Sequence, residues 1–93
     1  MSNASLVERT FIICRRYEAG EINLENLVSG VELNIGALDG LVESQRQHLR
    51  NLATSLELAQ FEEEDEDCIR KVDSLVAQLK DSLQSILRAG AAA

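Results

Sequence analysis

Apolar residues recur every three or four positions along most of this chain, and the recurrence breaks at a few polar points. Leu6, Ile13 and Tyr17 fall on one helical stripe, with Val7, Phe11 and Cys14 beside it. Leu24, Leu27, Val28, Val31, Ile35 and Leu38 make a second stripe. Leu41 or Val42, then Leu49, Leu52, Leu56 and Ala59, make a third. The fourth is the strongest: Ile69, Val72, Val76, Leu79, Leu83 and Ile86, flanked by Cys68, Leu75 and Leu87. Residues common in strands never alternate over a useful length, and the chain has no proline to interrupt a helix. The pattern predicts an all-α protein, an antiparallel bundle of four helices at about 5–18, 24–38, 41–61 and 65–88.

The breaks carry recognisable chemistry. Ser5-Leu6-Val7-Glu8 reads as a capping box opening the first helix. Arg15 and Arg16 suit its last turns, and Gly20 is a left-handed stop. Asn23 is the next N-cap, with Ile22 and Leu27 spaced as a hydrophobic staple. Gly30 and Gly36 stand six apart and do not share a face, so local fraying is expected there rather than close packing. Asp39-Gly40 reads as a turn or an N-cap.

A fourth helix beginning near Asp65 follows a turn at 62–64, with Glu66–Arg70 and Asp67–Lys71 as i, i+4 pairs. One bent helix over 41–88 is the alternative. The last helix is expected to end near Arg88, with Gly90 beyond it and 90–93 as a loose tail. Ser2-Asn3-Ala4, within the opening segment 1–4, is set aside as a candidate cloning scar. No repeat and no long linker divides the rest, so residues 1–93 are read as one domain.

Composition narrows the partners. The apolar share of 45% supports a core, but one dominated by leucine, with only Phe11, Tyr17 and Phe61 as aromatic anchors. A net charge of −7 repels nucleic acid phosphates and anionic lipid, and it suits a basic protein partner. No apolar run approaches the roughly 20 residues needed to span a bilayer. No secretory signal is seen at the start, so the cytoplasm is the expected location. Cys14 and Cys68 form no metal-binding spacing; they read as core thiols, with a disulfide between the first and last helices as the alternative.

Candidate chemistry is sparse. His48 is the sole histidine and reads as a surface side chain. No zinc-protease, nucleophile-elbow, P-loop or dinucleotide fingerprint occurs, so no catalytic residue, cofactor or metal ligand is assigned and no enzyme activity is expected. The run Glu62, Glu63, Glu64, Asp65, Glu66 and Asp67 lacks the alternating ligands and central glycine of a calcium loop. These six carboxylates are the candidate docking patch for a basic protein. The apolar surplus of the fourth helix is either ordinary core or the face of a homodimer.

The stretch Arg16-Tyr17-Glu18-Ala19-Gly20-Glu21-Ile22-Asn23-Leu24-Glu25-Asn26-Leu27-Val28, with its Arg-Tyr helix end, Gly-Glu-Ile turn and Leu-x-x-Leu-Val continuation, resembles the opening of small acidic bacterial immunity proteins. The likeness extends over residues 10–60 and includes Leu56-Glu57-Leu58-Ala59. Such proteins carry tryptophans in the third helix, and this chain has none. The resemblance implies a non-enzymatic antidote that binds and blocks a cognate, often basic, toxin, with the carboxylates of 62–67 as contacts.

Overall fold

The computed structural model of the protein describes residues 2–92. Among these, four helices and no strand are found: α1 (Asn3–Glu18), α2 (Leu24–Gly36), α3 (Glu43–Ala59) and α4 (Glu66–Ala92). Residues 60–65 break the chain between α3 and α4, so the single bent helix does not form.

The helices pack as a ring in which each touches its two neighbours: α1 on α2, α2 on α3, α3 on α4, and α4 back on α1. All four contacts are antiparallel. Ala4 lines one end of the α1–α4 groove with Leu87, while Glu18 pairs with Lys80 and lies near Asp73. Leu24 lies beside Gln60 and Phe61, and Ile35 beside Leu49. His48 neighbours Ser85, whereas Cys68 Sγ approaches the carbonyl of Ala59 at 3.7 Å. The 27 residues of α4 span roughly 40 Å at about 1.5 Å each, matching the 43 Å long axis of the molecule.

One continuous apolar core fills the ring. Leu6, Val7 and Cys14 enter it from α1, and Leu27, Val28 and Val31 from α2. Leu49, Leu52, Leu56 and Ala59 enter from α3, and Val72, Val76, Leu79, Leu83 and Ile86 from α4. From Val72 to Ile86 the α4 stripe is therefore ordinary core. Cys14 and Cys68 are both buried free thiols, so no disulfide ties α1 to α4. Thr10 is buried among these apolar side chains because its hydroxyl donates to the Leu6 carbonyl one turn back, at 2.8 Å.

Several predicted boundaries shift, each for a local reason. The Ser5–Glu8 capping box is not the start of α1. Ser2 caps the helix instead, its Oγ accepting from the Ser5 N–H at 3.2 Å. The opening segment belongs to the fold: the Asn3 amide donates to the Asp39 carbonyl at 2.8 Å and accepts from the Asp39 N–H at 3.0 Å. This paired bond ties the first turn of α1 to the α2–α3 connection.

Asn23 caps α2 as expected, accepting from the Asn26 N–H at 2.8 Å. Gly20 closes α1 with φ +76°, where the Glu21 N–H reaches the Arg16 carbonyl and the Gly20 N–H reaches that of Tyr17. The α2 helix stops at Gly36, two residues early, and buried Leu38 follows in the connection. Leu41 and Val42 precede α3 rather than open it; Val42 has no polar side chain to cap with, but its N–H donates to Gln45 Oε1 at 3.2 Å. At the other end, α4 continues through Gly90 to Ala92, past the expected stop at Arg88; Ala93 of the expected loose tail, like Met1, lies outside the described residues.

Gly30 is a close-packing residue, not a frayed one. A Cβ built there would stand 2.7 Å from Ile13 Cδ1, so the missing side chain is the space that the Ile13 end methyl of α1 occupies against α2. Gly36, with nothing within 4 Å, has no such role.

Candidate functional site

The α3–α4 corner is built by chain chemistry on both sides. As α3 ends, the Phe61 N–H reaches back to the Leu58 carbonyl and the Glu62 N–H to that of Ala59, tightening the last turn. The Asp65 N–H then meets the Glu63 carbonyl at 2.9 Å. Asp65 starts α4: its Oδ1 accepts from the Cys68 N–H at 2.9 Å and its carbonyl from the Ile69 N–H at 3.0 Å. Glu66 and Asp67 occupy the first turn, where carboxylates complement the helix dipole.

All six carboxylates of 62–67 are exposed at this corner, but they divide into two groups. Asp65 is the cap. Glu62 pairs with Lys71 at 2.8 Å, and Glu66 with Arg70 at 3.5 Å. The second of these follows the helical spacing. The expected Asp67–Lys71 pair does not form, because Glu62 reaches Lys71 across the turn and takes its place. The hydrogen bond that Lys71 donates to Glu62, followed by the Glu62 charge, holds the Lys71 ammonium above its ordinary pKa. Both pairs are substantially exposed and contribute little to stability. Glu63, Glu64 and Asp67 have no ion-pair partner among the described residues.

The structure also leaves apolar side chains at the surface here, and one is a correction: Ile69, expected at the head of the α4 core stripe, is outside the core, and Cys68 takes its place. Phe61 is 77% exposed at the head of the acidic run, with Leu58 at 60% just before it and Ile69 at 48% just after. The phase of α4 explains Ile69: stepping back four residues from Val72 lands on Cys68, which is buried, and Ile69 turns about 100° away from that seam. That signal was available in the spacing. Glu25 was not so accessible, since it arrives from α2: with Leu24, Ala59 and Phe61 it lines a groove whose rim includes Glu62 and Glu64. Burial raises the Tyr17 hydroxyl pKa, and Asp73, Glu64 and Cys68 add to the shift, so of the six carboxylates Glu64 is the one whose charge reaches the end of α1.

The remaining candidates hold no comparable constellation. His48 is exposed, and Cys14 and Cys68 are buried away from it in the core. Among the described residues, no three histidine, cysteine or carboxylate groups converge as a metal site, and no helix is long and apolar enough to cross a membrane. What the corner offers is a wet carboxylate surface along which Leu58, Phe61 and Ile69 are also exposed, chemistry that can meet both charge and apolar surface.

The division of labour predicts unequal mutants. Asp65→Ala should cost about 1 kcal/mol by removing the cap. Glu63→Gln should change stability by less than about 0.5 kcal/mol. Urea unfolding of the two variants separates them, and equal losses would mean that the corner is held together by something other than this cap. Comparison of the chain with protein-family models, with curated proteins and with solved structures returns no match.

Proposed function

We propose that this protein is a non-enzymatic binding module that docks a basic protein on the acidic corner. Phe61 carries the reading. A large aromatic ring left 77% exposed beside six carboxylates contributes little to the fold and much to an interface. The unpaired charges of Glu63, Glu64 and Asp67 would speed encounter with a cationic surface, and Phe61, Leu58 and Ile69 would supply the contact that is buried on docking. An antidote that blocks a basic toxin, the role implied by the resemblance of residues 10–60 to immunity proteins, is the specific form this module takes in our reading. Two buried free thiols fit a reducing compartment, and we assign the protein to the cytoplasm.

The test is co-purification from the source cells with the wild-type chain and with the variant Phe61→Ser, Glu63→Gln, Glu64→Gln and Asp67→Asn. That variant keeps the Asp65 cap and the Glu62–Lys71 pair. The expected result is a basic protein retained by the wild type, lost by the variant, and associating more slowly as salt rises. A partner held equally well by the variant would remove the corner from the interface.

A further inference from the structure

The outer face of α1 has an order of residues that becomes its own complement when read from the other end: apolar and small positions coincide, and acidic meets basic. Along the helix and its C-cap come Ala4, Glu8, Phe11, Ile12, Arg15 and, at the cap, Ala19, that is small, acidic, apolar, apolar, basic, small. At about 100° per residue these six fall within one stripe roughly 100° wide. Ile12 is 40% exposed and Phe11 is only partly buried, while Ala4, Glu8, Arg15 and Ala19 are all exposed. The core stripe of α1 (Leu6, Val7, Thr10 and Cys14) lies on the other side of the helix. Neither Glu8 nor Arg15 has an ion-pair partner among the described residues.

We propose that this face docks a second copy of the same chain, with α1 antiparallel to α1 of the partner about a two-fold axis between Phe11 and Ile12. In that register Glu8 meets the opposite Arg15 and Arg15 the opposite Glu8. Phe11 packs on the opposite Ile12, and Ala4 faces Ala19, where small side chains let the helix ends approach. An isologous interface requires such self-complementarity, since each patch must be its own partner. Charge also selects the occupant. The chain carries −7, so two copies repel through most of their surfaces, but this stripe is neutral and its two charges cancel in pairs.

The fold leaves room beside the stripe. A groove of about 660 Å³ runs between α1 and α4, with Val7, Phe11 and Leu87 along it, and the partner's α1 can settle against this groove while its own groove receives the first. The α3–α4 corner is not part of this contact, so a dimer would carry two acidic corners and the two surfaces can be tested separately.

The experiment is sedimentation equilibrium on the full chain from about 1 to several hundred micromolar, with circular dichroism to check folding. The wild type should pass from monomer to dimer over this range. Glu8→Arg and Arg15→Glu should each be monomeric while remaining helical, because each places like charges across both ends of the seam. Mixing these two variants should restore a dimer, now exclusively mixed, because the stripe of one copy then carries two basic side chains and the stripe of the other two acidic ones. A wild type that stays monomeric at the highest concentration, variants that dimerise as well as wild type, or a mixture that stays monomeric would each overturn the proposal.

Discussion

Leu79→Ala is expected to remove about 2–5 kcal/mol of unfolding free energy, the largest effect of any single truncation considered for this chain. Leu79 is fully buried on α4, the helix that closes the ring by packing on both α1 and α3. The loss has two sources: the apolar side chain no longer transferred out of water, and a cavity that rods locked on both sides cannot collapse to fill. A 93-residue protein holds roughly 5–14 kcal/mol in total, so the variant should forfeit a large fraction of its stability. Chemical denaturation with an unchanged slope against denaturant would confirm that stability, and not the character of the transition, has changed. A loss below about 1 kcal/mol would mean that α4 is loosely held.

The second large effect is on the alkaline side. Burial pushes the Cys14 thiol up from 9.0 to about 11, with Lys80 opposing the shift and Glu18 adding to it. Between those two values the unfolded chain has released a proton that the folded chain still holds, so each step up in pH favours unfolding. Stability from this group is complete below about pH 9 and lost by about pH 11, with a total of about 3 kcal/mol. Cys68, raised first by burial, and Tyr17, also raised first by burial, act in the same direction, as does Lys71. Unfolding curves at pH 8 and pH 10.5 should therefore differ, and Cys14→Ala should flatten much of that difference even though it lowers stability at both. A flat profile to pH 10.5 would show that Cys14 is reached by solvent.

Much of this architecture was written in spacing. Leu49, Leu52, Leu56 and Ala59, and the α4 series from Val72 to Ile86, declare their helices and their buried faces at once, because a 3.6-residue period leaves one stripe for the core. The cap at Asn23 and the start of α4 near Asp65 were legible for the same reason: their chemistry is local, fixed within three residues. What escaped depended on tertiary neighbours. Gly30 looked like a weak point until Ile13 from α1 filled the space above it. Asn3 looked dispensable until the Asp39 backbone came to meet it from 36 residues away. Lys71 had two carboxylates within reach, and only the path of the turn decided for Glu62.

The candidate site was legible as charge and opaque as surface. The sequence marks six carboxylates in a row, but not that Asp65 caps α4 and that Glu62 and Glu66 pair with Lys71 and Arg70, while the other three have no ion-pair partner among the described residues. It names Phe61 without showing that the ring points outward. An aromatic residue two positions past a buried alanine could equally have closed the end of the core, and only the tightening of the last α3 turn sets it outside.

Native-state hydrogen exchange tests the central claim most directly, which is that four helices share one cooperative core while the acidic corner stays outside it. The account predicts that the slowest amides in all four helices, including those of Val31, Leu56 and Leu79, exchange with a single free energy equal to that of global unfolding, while Glu63 and Glu64 exchange near the free-chain rate. Strong protection across 62–64, or a helix whose core amides open well below the global value, would contradict it.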